Sequence, residues 1–380
     1  MRGQVDDQLP LFHLFSVEDR IRPDHPIRDI KRRVDRILDG MSSVFTRAYS
    51  MTGRPSVPPE RLLKALLLMA LYSVRSERQL CERIDTDLLF RWFLDLQPSD
   101  EAFDATTFTH NRQRLDDHHL TQAFFAAVVD EAIAAGLCSE HFSVDGTLIE
   151  SLASVKSFQP KEANDDEPPD ANGFKPRNAE VDFHGAKRTN ETHQSRTDPE
   201  AKLYRKGLGK EAKLSHMGHA LGENRNGLVV AITVTEANGT AERSAALEML
   251  DRVKATHALE PTTLGGDKGF DSGEFYRELE TRGIEPHVPL VKEPSLPESV
   301  VHRQRMPGVE ARHRMKARLF SEGFQLSQKC RKKIEEVFGW LKGIAGLGRS
   351  RVVGRWKLQQ LLEIGAAAFN LVRLRKLNPA

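Results

Sequence analysis

The chain has 380 residues, 39% apolar and 7% aromatic, a composition that suits a folded soluble protein and excludes a collagen-like or wholly disordered one. Its formal charge is only +2, yet residues 301–380 hold 18 Lys and Arg against 5 Asp and Glu, a net of +13, leaving 38 against 49, a net of −11, in residues 1–300. That asymmetry points to a polyanionic partner at the basic end.

Residues 1–140 read as helical. Pro58 and Pro59 lead into Glu60–Tyr72, apolar nearly all round and therefore expected as a buried helix. Ser76-Glu77-Arg78-Gln79 has the capping-box pattern and starts a helix to about Ile84. Asp85 and Asp87 are candidate N-caps for a third helix, Leu88–Leu96. Thr106 or Thr107 can cap a fourth, whose visible face holds His110, Asn111, Arg112, Gln113 and Arg114. Short helices with tight joints fit a helix-turn-helix module and an ordinary small bundle equally well.

At His141 the texture changes. Phe142–Ile149 reads as a strand with Asp145 at its middle. Residues 156–210 are polar, with Phe174 the only large apolar residue between Gln159 and Glu180, so a long excursion or partly disordered loop is expected. Leu214–Leu221 and Leu228–Val234 flank Glu223-Asn224-Arg225-Asn226-Gly227, a hairpin signal. A helix over Ala241–Lys254, a strand over Thr262–Gly266 ending at Asp267, a helix over Ser272–Arg282 and a strand over Ile284–Pro289 follow. After an irregular stretch from Val291 to Phe324, helices are expected over Leu326–Ile344 and Trp356–Leu377. This order predicts an α/β protein with a mixed sheet covered by helices.

Three carboxylates stand out by position. Asp145 is mid-strand, where a sheet ordinarily places an apolar residue, and Asp267 ends a strand before Lys268-Gly269, where glycine allows close approach to a ligand. On the helix after Cys330, Arg331, Glu335, Gly339 and Lys342 share one stripe beside an apolar face of Ile334, Phe338, Leu341 and Ala345. Glu336 is turned away by about 100°. Taken alone, each acid reads as a surface charge or turn former. Together, carboxylates converging from separate elements repel and lose hydration unless a cation joins them. Oxygen-only donors suit Mg²⁺ or Mn²⁺, and two such ions ~3.5–4 Å apart serve in-line phosphoryl transfer. Arg331 and Lys342 beside the acid would then hold DNA phosphates.

The same residues carry a resemblance. Phe142-Ser143-Val144-Asp145-Gly146-Thr147, Gly265-Gly266-Asp267-Lys268-Gly269-Phe270-Asp271 and Arg331-x3-Glu335-x6-Lys342 resemble the signature of DDE transposases of bacterial insertion sequences, of the insertion-sequence-five type. Met51-Thr52-Gly53-Arg54-Pro55, Pro58–Leu63 and Tyr72–Leu80 are similar to that group's N-terminal helical domain, and Gly218–Leu221 with Glu223–Gly227, and Ala368–Arg373, are similar to the group too. The likeness spans about residues 50–375. It implies an RNase H-like catalytic fold, Asp145, Asp267 and Glu335 as the catalytic triad holding two metal ions, and Arg331 and Lys342 as DNA contacts. Lys268, beside Asp267, and Arg112 and Arg114 on the fourth helix complete the candidate DNA-binding set. Two positions depart from the pattern: Gln328 stands at the signature's tyrosine, and Phe270 where tyrosine is usual.

The expected organisation is a helical, helix-turn-helix-like domain over 1–140, an RNase H-like domain over 141–350 with the polar insertion at about 156–210, and a basic C-terminal helix over 351–380. His184, His193, His216 and His219 match no zinc spacing. Asp271 is expected to cap the helix from Ser272, and Glu150 to support the site from just past the first strand. Leu361–Leu377 is amphipathic and suits a core or a dimer seam. Cys81, Cys138 and Cys330 form no C-x-x-C pair, the patch Leu9–Phe15 is no signal peptide, and Leu62–Tyr72 is too short to span a bilayer. A cytoplasmic, nucleoid-associated protein is expected. The resulting expectation is a transposase that binds the terminal inverted repeats of its element as a homodimer or larger assembly, cleaves and joins double-stranded DNA with Mg²⁺ or Mn²⁺, and has no membrane partner. A catalytically silent DNA-binding regulator and a metal-dependent nuclease are the rivals.

Overall fold

The structure, a computed structural model, describes residues 16–49, 56–161, 188–205, 211–291 and 306–377. The patch Leu9–Phe15, the segment Met51–Pro55 and His184 lie outside the described residues.

Helices form the first part: α1 (Val17–Arg20), α2 (Ile27–Gly40), α3 (Ser42–Ala48), α4 (Pro59–Leu71), α5 (Glu77–Thr86), α6 (Leu88–Phe93), α7 (Thr106–Asp117) and α8 (Leu120–Ala134). Proline at the first position of α4 supplies a helical φ and lacks only an N–H that would have no intrahelical partner. Lys64, inside this apolar helix, is buried but held by Asp35 and Asp95, with Nζ 2.6 Å from Asp95 Oδ2. Ser76 caps α5 by accepting from Gln79 N at 3.1 Å, while the Gln79 side chain turns back to Arg75 N rather than to Ser76. Asp87 caps α6, accepting from Leu89 N at 2.9 Å.

Two expectations about α7 are corrected. Neither threonine caps it: Thr106 is already helical, and Asp104 accepts from Thr106 N at 2.7 Å. Nor is its face from His110 to Arg114 wholly visible, because Asn111 and Arg112 are buried where α7 packs against α8 and α14.

The sheet contains β1 (His141–Glu150), β4 (Lys202–Tyr204), β5 (Lys213–Glu223), β6 (Val229–Glu236), β7 (Thr263–Gly265) and β8 (Glu285–His287); two short strands, β2 (Phe158–Pro160) and β3 (His193–Ser195), pair separately. The order is β4-β5-β1-β7-β8, with β6 also pairing with β5. β1, β5 and β6 run antiparallel to their neighbours in that group, whereas β1, β7 and β8 are parallel, giving the mixed sheet expected. At the β5–β6 turn, Gly227 has φ +68°, a left-handed conformation that glycine adopts freely. The buried Glu223 carboxylate accepts from Arg225 N (2.9 Å) and Leu228 N (3.2 Å) and so sets the turn.

Further helices are α9 (Ala241–His257), α10 (Gly273–Thr281), α11 (Met306–Arg318), α12 (Glu322–Cys330), α13 (Lys332–Gly343) and α14 (Arg355–Leu377). The stretch expected to be irregular therefore contains α11, and the expected helix over Leu326–Ile344 is divided at Arg331. One face of the sheet meets α13 and α14: a side chain at Gly222 would touch Ile334, and one at Gly218 would touch Leu362. α9 packs on β5, β6 and β1 from the other face. Part of the polar excursion is ordered, because buried Asp198 accepts from Ser151 Oγ at 2.8 Å and lies 2.9 Å from His216 Nε2.

A continuous apolar core runs from Val17 through the sheet to Leu374. α14 lies within it, against α8, α4 and β6, so its apolar residues are core. Asn370 is buried in this helix and satisfies both backbone groups of Val229, at 2.9 and 2.7 Å.

Candidate active site

β1 outruns β7. Their parallel pairing ends at Ser143 with Gly265, and two residues further in the same register Asp145 comes level with Asp267. β7 has stopped by then, so β1 has an open edge where the chain carrying Asp267 turns into a single 3₁₀ turn over Lys268–Phe270. Tight packing keeps this edge in place: a Cβ at Gly265 would lie 2.9 Å from both Ser143 Oγ and Ser327 Oγ. α13 brings Glu335 to the same region from the face it shares with β1.

Each acid bonds a neighbour of its own chain. Asp145 Oδ1 accepts from Gly146 N at 2.9 Å, and Asp267 Oδ1 from Gly269 N at 2.7 Å. Arg331 Nη2 donates to Glu335 Oε1 at 3.2 Å. Burial raises the Asp145 carboxyl to about 6, with the charges of Asp267 and Glu335 adding to the rise and the Gly146 N–H and Arg331 opposing it. The acids at the β7 end and on α13 are thus near enough for their charges to bear on Asp145. Among the described residues, no three His, Cys, Asp or Glu side chains are drawn together as a metal cage. The donor chemistry nonetheless fits a hard cation: the groups are carboxylates, and the charged form of the partly buried Asp145 is disfavoured until a positive charge joins it.

The helix phase separates the two neighbouring glutamates. Glu336 pairs with Arg373 Nη1 at 3.0 Å, away from Glu335. Lys268 and Lys342 are exposed, and Arg331 is partly buried. Arg114 is exposed and lies over the Tyr49 ring, 4.7 Å from its centroid. Arg112 stands apart from these cations: it is buried, paired with Glu77, and its backbone oxygen accepts from Gln360 at 3.1 Å.

Two supporting assignments are corrected. Glu150 is five residues beyond Asp145, about 16 Å along a strand, and its carboxylate faces Lys213 at 3.3 Å and Arg349 at 3.9 Å. Asp271 does not cap α10. Its carboxylate accepts from Arg312 at 3.0 and 2.7 Å, Tyr276 Oη at 3.0 Å and Val291 N at 2.8 Å, because α11 packs over this loop. Of the departures from the expected signature, Gln328 donates to His287 O at 2.6 Å, and Phe270 is buried against Phe275.

Sequence reasoning passed over Glu242, in the first turn of α9. A Cβ added at Gly146 would lie 2.6 Å from Glu242 Oε1, and one added at Gly269 would lie 3.5 Å from Glu242 Oε2 and 2.9 Å from Asp267 Oδ1. Its only local signal is an acid just after the Asn238-Gly239-Thr240 turn, which is equally the signal of ordinary helix-dipole compensation.

The mixed sheet covered by helices defines an α/β protein. The chain belongs to the Transposase DDE domain family, which it matches over residues 178–371; residues 15–114 match the Transposase domain (DUF772) family. The first match includes Asp267 and Glu335 and begins after Asp145. No curated protein matches the sequence. Among solved structures, the chain is similar to a piggyBac transposase synaptic complex with hairpin DNA, at 8% identity and TM-score 0.37, over 93% of this chain and 76% of that one. It is also similar to the Mos1 transposase paired-end complex with left transposon end, at 12% identity and TM-score 0.22, over 79% and 82%. These likenesses are too loose to assign a residue. Among the described residues, no helix is long and apolar enough to cross a membrane.

Proposed function

We propose that the chain is a transposase of the bacterial insertion-sequence-five type, with an RNase H-like catalytic fold. It binds the terminal inverted repeats of its element, cleaves the DNA there and joins the freed 3′-hydroxyls to target DNA. The observation that carries this reading is the placement of Asp145 level with Asp267 where β1 outruns β7, in a chain of the Transposase DDE domain family. The expected domain limits, 1–140, 141–350 and 351–380, belong to the same proposal.

In this reading Asp145, Asp267 and Glu335 hold two Mg²⁺ or Mn²⁺ ions. Bound there, the ions supply Lewis acidity at the scissile phosphate and charge for the leaving oxygen. The chain's own part is positioning. β1 and the 3₁₀ turn fix Asp145 and Asp267, and the first turn of α13 presents Glu335, which would hold the ions with them. Arg331, partly buried, and the exposed Lys268 and Lys342 would then contact the DNA backbone. Arg114 is a further DNA contact on this reading, whereas buried Arg112 serves the packing of α7. Each protomer has one triad and an element has two ends, so a homodimer pairs them. The place of action is the bacterial cytoplasm, at the nucleoid.

A strand-transfer assay tests the proposal. The protein is incubated with a donor carrying the element ends and a supercoiled target, with Mg²⁺ or with EDTA, beside Glu335→Gln. Joined product that requires Mg²⁺ and vanishes in the variant is the expected result. Cut ends without joining would indicate a nuclease, and tight end binding without cleavage a regulator.

A further inference from the structure

We infer that Arg75 and Arg351 form a site for one backbone phosphate of DNA, in the cleft between the α4–α5 turn and the loop that joins α13 to α14. The inference rests on the function proposed above, which supplies the DNA, and adds to it a contact outside the catalytic edge.

The two guanidinium groups come from opposite walls of one cleft. A cavity of about 560 Å³ lies between α4, α5 and α7 on one side and α14 with its preceding loop on the other, and both arginines line it. Arg351 reaches across: Nη1 donates to Val74 O at 2.8 Å and Nη2 to Gly346 O at 3.2 Å. Its charge is therefore held against the residue next to Arg75. Gly346 makes the room, since its φ is +68° and a Cβ there would lie 1.9 Å from Arg351 Nη2. The walls are joined a second time by Ser73 Oγ, which donates to Ile344 O at 2.7 Å.

The cleft has no negative charge to spare for this pair. Among the described residues, neither Arg75 nor Arg351 is paired with a carboxylate. Glu77, the one acid on the lining, is taken by Arg112, and Lys357 adds a further cation. Burial and the nearby charge of Arg75 both disfavour the charged form of Arg351, which an arginine nonetheless keeps. An anion between the two relieves both costs. The carbonyls of Val74 and Gly346 engage one N–H on each Nη, and the guanidinium has others left to donate. Its planar fork suits phosphate, and the apolar walls at Leu66, Met69 and Leu361 strengthen the attraction by excluding water.

The surroundings fit a DNA strand as the source of that phosphate. Arg75 is exposed, so the site opens to solvent. A Cβ at Gly348, in the same loop as Arg351, would lie 3.8 Å from Lys342 Cβ, and Lys342 is one of the DNA contacts proposed above. A backbone that touches Lys342 thus has this loop beside it. Held by one arginine from each wall, the phosphate would tie the N-terminal helices to the helix that carries Glu335.

Anisotropy titrations of the full chain with labelled element-end duplex test the site, in EDTA and at several salt concentrations, with thermal unfolding as the check on folding. Arg75→Glu puts an acid where the phosphate would lie. It is expected to weaken binding about tenfold or more and to lower the slope of log affinity against log salt by about 1. Arg75→Lys is expected to stay within a few-fold of wild type. Arg351→Gln, which can still donate to Val74 O but carries no charge, is expected to weaken binding, and to weaken it less when Arg75→Glu is already present. Wild-type affinity and slope in a folded Arg75→Glu variant, with both reduced in Arg331→Ala, would overturn this site alone. Failure of the wild type itself to bind duplex DNA would overturn the function proposed above instead. Inorganic phosphate at constant ionic strength distinguishes the sources. If it raises the unfolding temperature of the wild type but not of Arg75→Glu, while the two bind DNA equally, the site takes a free anion and the DNA contact is overturned.

Discussion

Arg331 and Glu335 meet one helical turn apart, Nη2 to Oε1 at 3.2 Å, with Arg331 at the joint between α12 and α13 and Glu335 in the first turn of α13. The pair is lopsided in exposure: the Arg331 side chain is 21% exposed and that of Glu335 is 56%. Such an i, i+4 pair adds only a few tenths of a kcal/mol to stability. Its consequence is positional, since it keeps an anion and a cation side by side where DNA phosphates and metal would each need one.

Arg331→Ala is expected to weaken binding to element ends and to lower the slope of log affinity against log salt by about 1, the signature of one lost phosphate contact. Titrations at several salt concentrations, in EDTA so that cleavage is absent, measure it. Arg331→Lys should keep most of the salt slope while holding Glu335 less firmly, since a point charge replaces a planar fork. An Arg331 that served only to hold Glu335 would leave the slope unchanged in both variants.

Asp145→Asn, Asp267→Asn and Glu335→Gln are each expected to abolish cleavage and leave end binding nearly intact. The control is Glu336→Gln. Its partner is Arg373, at 3.0 Å, and the Glu336 side chain is 60% exposed, so its loss should change stability by less than about 1 kcal/mol and leave cleavage within a few-fold of wild type. Quantifying nicked and joined products for all four variants separates the two glutamates.

How far these assignments could be read in the sequence depended on the range of the interactions. Asp145 in a strand, the β5–β6 hairpin and the distinction between Glu335 and Glu336 were legible because each follows from neighbours within one or two turns. Arg112 was misread as a surface cation because its burial comes from α8, α14 and Glu77, 35 positions away. Asp271 looked like a helix cap because the sequence around it has that form, whereas its partner Arg312 comes from a helix 41 positions on. Glu242 was invisible for the same reason: only the register of β1 against β5 and the empty side-chain position at Gly146 bring it to the acids.

The Asp271–Arg312 contact makes a stability prediction. The Asp271 side chain is 2% exposed and accepts from three other residues, whereas that of Arg312 is 26% exposed. Asp271→Ala leaves Arg312, Tyr276 and the Val291 N–H without this acceptor, and should destabilise the fold by about 3 kcal/mol. Arg312→Ala should also destabilise, and the double variant should fall short of the sum, because the two changes remove one shared interaction. Chemical denaturation of the three variants completes the cycle. Since α11 and the Asp267 loop are joined through this pair, cleavage should fall in Asp271→Ala even under conditions where it remains folded.

His219 gives a pH dependence of stability whose sign can be worked out directly. It is buried on β5 with Nε2 2.7 Å from Thr235 Oγ1, and burial lowers its pKa from 6.5 to about 4. Between those values the unfolded chain binds a proton at this residue and the folded chain does not. The stabilisation is therefore fully present above about pH 6.5 and is lost as pH falls towards 4, with a limit of about 3 kcal/mol. His219→Gln removes the titrating group while keeping a side chain that can hydrogen-bond to Thr235. Across pH 7 to 4, the difference in unfolding free energy between wild type and this variant should shrink in the acid direction. A difference that stays constant would show that His219 titrates alike in the folded and unfolded chains.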